Sequence, residues 1–137
     1  MRYVIDTNVL LAAFSRKSPC HWIWKSLLAQ EFTLCVTTDI LDEYAEQFEW
    51  FYSVETAIFA MQTIENLPNI AFITAFYRWQ LIVADPDDDK FVDCAVAANT
   101  KFVVSEDRHF KVLKKIKFPK IEVLRIEDFK KHLNVKS

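Results

Sequence analysis

Five carboxylates fall within nine residues of this chain, in Asp85-Pro86-Asp87-Asp88-Asp89-Lys90-Phe91-Val92-Asp93. They stand where an apolar, helix-patterned segment, Phe91 to Ala98, begins. One or two acids suit a helix start, because carboxylates accept free backbone N–H groups and oppose the helix dipole. Asp87 and Asp88 read as such caps. Asp89 and Asp93 are four residues apart and share one helical face. Like charges at that spacing destabilise a helix unless a cation compensates them. A hard divalent ion such as Mg²⁺, which takes oxygen ligands, would do so. The competing reading is an acidic first helical turn in solvent, and this stretch alone leaves both open.

Three more acids stand at related places. Asp6 follows the apolar run Tyr3-Val4-Ile5, and Asp107 follows Phe102-Val103-Val104-Ser105. Glu43 lies in the helical segment after a second apolar run, Phe32 to Val36. Helical geometry does not choose it over Asp42, since both flank the Ile40/Leu41/Tyr44/Phe48 seam. A single acid after a strand is an ordinary helix cap. Several at one edge are costly without a cation, because unit charges ~4 Å apart repel by about 4 kcal/mol at an effective dielectric near 20.

The elements that would carry these acids alternate. Strands are expected at 3–5, 32–36, 69–74, 101–105 and 123–125. Helices are expected at 9–14, from Ser18-Pro19 onward, from the Thr37-Thr38-Asp39 cap, at 53–66, at 87–99, from Glu106-Asp107 to Leu113, and at 127–133. Residues 75–84 have no clear pattern; Leu81-Ile82-Val83 reads as a brief strand or a loop. Strand–helix alternation argues for a mainly parallel sheet covered on both faces. In such sheets, functional groups collect beyond the carboxyl ends of the strands. Four segments far apart in sequence can then present acids to one edge.

At 137 residues, with 52% hydrophobic and 26% charged content, the chain reads as a single globular domain spanning 1–137. No run approaches the ~20 apolar residues of a membrane span, and Asp6 interrupts any secretory apolar region. Cys20, Cys35 and Cys94 are scattered and embedded among apolar residues, the pattern of reduced core thiols in a cytoplasmic protein. The chain has no glycine, so phosphate-cradling glycine loops are excluded. Asparagines at 66, 69 and 99 are expected to take the left-handed positions at helix ends. The net charge of −2 divides unevenly: residues 1–100 carry −8 and residues 101–137 carry +6. That asymmetry suits a protein that brings a metal and a polyanion together, although a lysine-coated surface gives the same count.

Four of these segments, in order and over nearly the full length, resemble the PIN-domain nucleases. They are Asp6-Thr7-Asn8-Val9-Leu10, Thr37 to Tyr44 with Glu43 inside, Asp85-Pro86-Asp87-Asp88-Asp89-Lys90-Phe91, and Val103-Val104-Ser105-Glu106-Asp107. The third resembles a motif of the bacterial branch that forms toxin components of toxin–antitoxin pairs. The resemblance implies a three-layer α/β/α sandwich and a carboxylate cluster holding Mg²⁺ or Mn²⁺. It implies hydrolysis of single-stranded RNA by a metal-activated water, and an antitoxin protein as partner. Carried over residue by residue, Asp6, Glu43, Asp89 and Asp107 are the catalytic and metal-binding acids, with Asp93 as a fifth ligand. Asn8 and Ser105 take supporting roles as hydrogen-bond donors. Glu106 departs from the pattern, standing where the family commonly has glycine.

Lys111, Lys114 and Lys115 follow the Asp107 turn and are candidates to track an RNA backbone. Trp22, Trp24, Trp50, Phe51, Tyr52, Phe76, Tyr77 and Trp79 exceed what the buried faces need. Core filling, a homodimer or partner-protein surface, and stacking on unpaired bases are the alternatives for them. Scattered histidines at 21, 109 and 132 give little support to histidine chemistry. A phospho-acceptor receiver domain would need an acidic pair after the first strand, and Asp6 is followed by Thr7-Asn8. A catalytically inactive RNA- or protein-binding module on the same fold is the remaining alternative.

Overall fold

The computed structural model of the chain describes residues 1–82 and 85–133. Five short strands form the sheet: β1 (Arg2–Ile5), β2 (Thr33–Val36), β3 (Ile70–Phe72), β4 (Phe102–Val104) and β5 (Glu122–Leu124). All their pairings are parallel, in the order β3-β2-β1-β4-β5. Six α-helices complete a three-layer α/β/α sandwich: α1 (Thr7–Phe14), α2 (His21–Leu28), α3 (Thr38–Phe51), α4 (Val54–Asn66), α5 (Asp89–Ala97) and α6 (Ile126–His132). Tighter 3₁₀ turns cover Pro86–Asp88 and Arg108–Lys115. The alternation expected from sequence is therefore present. Residues 73–82 form a loop, and Val83 of the suggested 81–83 strand lies outside the described residues.

The strand order matters for function. From β1 the chain steps to β2 and β3 on one side, then returns to place β4 and β5 on the other. The reversal falls between β1 and β4, whose register pairs Val4 with Val103 and Ile5 with Val104. Loops diverge at such a switch point and leave a crevice at the carboxyl ends of the strands. Buried apolar runs fix the register: Tyr3, Val4 and Ile5 on β1 and Val103 and Val104 on β4 are fully enclosed.

Capping chemistry sets the helix starts. Thr37 accepts the N–H of Ile40 through its hydroxyl, and Ser53 accepts that of Thr56, opening α3 and α4. Ser18 acts one turn before its helix instead, accepting the Cys20 N–H, so that α2 begins at His21.

Lacking glycine, the chain ends two helices with other residues in left-handed geometry. Asn99 (φ 56°) follows α5, as expected, but Asn66 lies inside α4 and Asn69 bonds the Leu27 and Phe32 carbonyls. Gln30 (φ 60°) takes the equivalent place after α2. Both ends close in the same way, with Gln30 N–H on Leu27 O and Glu31 N–H on Ser26 O, then Asn99 N–H on Val96 O and Thr100 N–H on Ala95 O. These are Schellman caps. A side chain beyond glycine costs about 1–2 kcal/mol there, less for asparagine. Gln30→Gly should therefore stabilise the fold by up to about 1 kcal/mol after its extra unfolded-state entropy is subtracted. Urea denaturation of the two proteins measures this, and Gln30→Val should move the midpoint the opposite way.

Candidate metal centre at the carboxyl edge of the sheet

Asp6 and Asp107 come together because β1 and β4 pair. Asp6 continues the ladder, its N–H donating to Val104 O at 2.9 Å. Its side chain is 5% exposed. The Ser105 hydroxyl donates to Asp6 Oδ2 at 2.8 Å and accepts the Asp107 N–H at 2.9 Å. One hydroxyl thus fixes both acids, the donor role expected for Ser105. Asn8 is exposed on α1.

Glu43 reaches the same edge through the residue beside it. Tyr44 is fully buried and its hydroxyl donates to Ile5 O at 2.5 Å, tying α3 to the end of β1. Glu43 then accepts the Thr7 hydroxyl on one oxygen and Lys90 Nζ, at 2.6 Å, on the other. Asp42 is exposed.

The acidic stretch divides in a way the sequence reading did not anticipate. Asp85, Asp88, Asp107 and His109 each present a ligand atom, all within 4.8 Å of one another. Asp88 Oδ2 is buried without a hydrogen-bond partner among the described residues. The His109 Nδ1 atom lies 3.3 Å from Asp107 and 3.8 Å from Asp85 and Asp88. Asp88 holds the N-cap position of α5, as expected, but its side chain makes no capping bond and stands in the cluster. Asp89 and Asp93 share a helical face as expected but are not in that cluster: Asp89 Oδ1 accepts the Ile82 N–H at 2.8 Å and Asp93 Oδ1 accepts the Trp79 N–H at 3.0 Å. One backbone N–H meets each carboxylate, and burial with the neighbouring Asp89 charge still holds the Asp93 carboxyl above its usual range.

A helical signal for Asp88 existed. Counting on three, four and seven residues gives Phe91, Val92 and Ala95, all buried, so Asp88 tops the core-facing stripe of α5. Asp85, Lys90 and His109 carried no such signal. Lys90 is named by its contact with Glu43 alone, and His109 by a turn that Asp107 caps through the His109 N–H.

Electrostatics mark the same place. Burial pushes the Asp6 carboxyl up to about 6, helped by the charges of Asp107 and Glu43 and opposed by the Ser105 hydrogen bond. Burial also pushes Asp88 up to about 7, with Asp6, Asp85, Asp107 and Glu43 adding repulsion. Crowded acids with an orphaned buried oxygen fit a divalent cation. The mostly carboxylate donor set suits Mg²⁺ or Mn²⁺.

Glu106 does not distort this loop. Its φ is not positive, and its exposed carboxylate pairs with Arg125 Nε at 2.7 Å. The three cysteines are buried and unpaired, and burial pushes the Cys94 thiol up to about 12, so it is no nucleophile.

Residues 2–109 match the PIN domain. The chain belongs to the PIN-domain family. No curated protein sequence matches it. Its fold is similar to VapBC2 from Rickettsia felis bound to a promoter DNA fragment, with TM-score 0.63, 19% identity, and 91% of this chain and 98% of that chain covered. It is likewise similar to DNA-bound VapBC from Salmonella typhimurium, with TM-score 0.62, 17% identity, and 92% and 98% covered. The PIN domain endonuclease Utp24 follows at TM-score 0.54 and 16% identity, with 90% and 84% covered.

The raised carboxyls make apo stability depend on pH. A folded pKa above the unfolded value of ~4 means that the folded state binds more protons, so stability is greatest in acid and falls as pH rises. The fall should span from about 4 to about 7, the folded values of Asp6 and Asp88 bounding its upper end. Chemical denaturation in EDTA at several pH values should show this slope, and Asp6→Asn and Asp88→Asn should each flatten it.

Proposed function

We propose that this PIN domain is a Mg²⁺- or Mn²⁺-dependent endoribonuclease acting on single-stranded RNA, and the toxin of a toxin–antitoxin pair in the cytoplasm. The carrying observation is the cluster of Asp85, Asp88, Asp107 and His109 beside Asp6, which Ser105 ties to Asp107, with a buried Asp88 oxygen left unpartnered among the described residues. Asp6, Asp88 and Asp107 would hold the ion, with Asp85 and His109 on its solvent side. A bound divalent ion supplies a water of lowered pKa and polarises a phosphoryl oxygen. Ser105 fixes the Asp6 and Asp107 geometry, and Lys90 holds Glu43 beside the cluster. Asp89 and Asp93, read from sequence as ligands, fit better as anchors for the 79–82 loop.

The toxin reading draws on the VapBC complexes that the fold resembles; the partner it implies is a small antitoxin protein. Among the described residues no helix is long and apolar enough to cross a membrane. The exposed apolar residues Trp50, Phe51, Val54, Ile58 and Phe59 on α3 and α4 offer area for an antitoxin or a homodimer.

Purified protein should cleave single-stranded RNA with Mg²⁺ or Mn²⁺ and lose that cleavage in EDTA. The paired variants separate the two acid roles. Asp88→Asn should lose about 100-fold or more of the rate, as removing a key charge-stabilising group does elsewhere. Asp89→Asn should keep metal-dependent thermal stabilisation, because its carboxylate serves the Ile82 N–H. Equal losses of metal response in both would return Asp89 to the ligand set.

The basic strip suits the polyanion. Lys111, Lys114 and Lys115 are exposed on the turns after Asp107, while Phe110 and Leu113 anchor those turns inside. Replacing Lys114 and Lys115 by alanine should weaken binding to all RNAs alike and flatten the log–log salt dependence by roughly one to two units. Titration at several salt concentrations checks it, and an unchanged slope would show that these lysines only solvate the surface.

A further inference from the structure

A cleft of about 660 Å³ lies beside the acid cluster, outside it. Its walls are the start of α3, the 73–82 loop and the first turns of α5. Its volume is that of a small-molecule site. One ion pair and one stretch of chain link it to the acidic edge. Lys90 lines the cleft and holds Glu43, and Asp87 and Asp89 line it on either side of Asp88.

The polar groups of the cleft are unusually divided. Asp89 and Asp93 each give one oxygen to the Ile82 and Trp79 N–H groups, which pins the loop to α5. Asp39 and Asp87 also line the cleft, are exposed, and accept no side-chain hydrogen bond among the described residues. Arg78 lines it without an ion-pair partner among the described residues. Gln80, also in the wall, holds a left-handed φ of 54°, backbone strain of the kind that persists at ligand-holding loops. Between the lining residues Ala75 and Arg78 stand Phe76 and Tyr77, 92% and 65% exposed. Tyr77 packs edge-on against Trp79, which braces it.

Free carboxylates disfavour a phosphate in this cleft but favour N–H donors. The exposed rings of Phe76 and Tyr77, on the loop that walls the cleft and next in sequence to its lining residues, offer flat, apolar faces. An unpaired nucleobase has both properties. Among the four bases, guanine alone offers two adjacent N–H donors to a carboxylate together with O6 and N7 acceptors to an arginine. The geometry points to a guanine-reading subsite, in which the base of a nucleotide flanking the scissile phosphate enters the cleft, meets Asp39 or Asp87 and Arg78, and stacks on Phe76 or Tyr77. This rests on the ribonuclease reading for its role in cleavage, but the binding it describes does not.

The test separates the two. Four pentaribonucleotides, UUNUU with N each of the four bases, are titrated against the full chain in EDTA at low salt, followed by fluorescence anisotropy, and run on a gel afterwards to confirm that they are intact. The guanine pentamer should bind at least about fivefold tighter than the others. Phe76→Ala should weaken all four by at least about fivefold. Asp39→Asn combined with Asp87→Asn should erase the guanine preference, with little effect on folding since both residues are exposed. Base-indifferent affinity, absent binding, or affinities unchanged in these variants would overturn the subsite. Failure of metal-dependent cleavage in the wild type, with the guanine preference intact, would instead overturn the ribonuclease reading alone.

Discussion

Everything at the carboxyl edge depends on the parallel pairing of β1 with β4. Those strands are about a hundred residues apart in sequence, yet they bring Asp6 and Asp107 to one crevice. The Ser105 hydroxyl converts that proximity into fixed geometry by bonding one acid and the backbone of the other. The pairing is enforced by apolar burial, which is non-directional and strong. The acids ride on it. Their own interactions are repulsive, and that repulsion adds to the burial that raises the Asp6 and Asp88 carboxyls.

Two devices keep the rest of the acidic segment in place. Lys90 supplies a positive charge to Glu43, while Asp89 and Asp93 take backbone N–H groups from the loop that precedes them. The same i, i+4 pair therefore anchors a loop and frees Asp88 to face the cluster. The loop so anchored walls the neighbouring cleft. Structural and chemical duties are divided between adjacent aspartates, and the division follows helix phase: Asp88 tops the stripe of Phe91, Val92 and Ala95.

The aromatics divide in a comparable way. Trp24, Phe48 and Phe14 interlock edge-to-face beneath α1 and α3, and Tyr3, Phe32, Phe102 and Phe129 fill the opposite end of β1. Trp50, Phe51, Phe76 and Tyr77 stay in solvent. No basic residue lies between Lys25 and Arg78, so α3 and α4 present apolar and acidic surface together. That surface would repel RNA, whereas the turns after Asp107 would attract it. The electrostatic polarity seen along the chain thus survives folding.

The alternation of strands and helices, the Thr37 cap, the buried thiols and the placement of Asp6 and Asp107 after strands were all legible in the amino-acid order. These are local facts, set by apolar periodicity and by side chains that bond their own backbone within a few residues. The amino-acid order also determined that Asn99 would end a helix in left-handed geometry. Long-range contacts withdraw Asn69 from such a role, its side chain being held by the Leu27 and Phe32 carbonyls, while Gln30 takes the left-handed place after α2. Tertiary structure also decided that Asp85 and Asp88, among the aspartates of 85–93, meet Asp107 and His109. Five similar side chains in nine residues have nearly equal local preferences. What distinguishes them is the partner each meets across space: a strand end and a histidine for Asp88, and loop amides for Asp89 and Asp93.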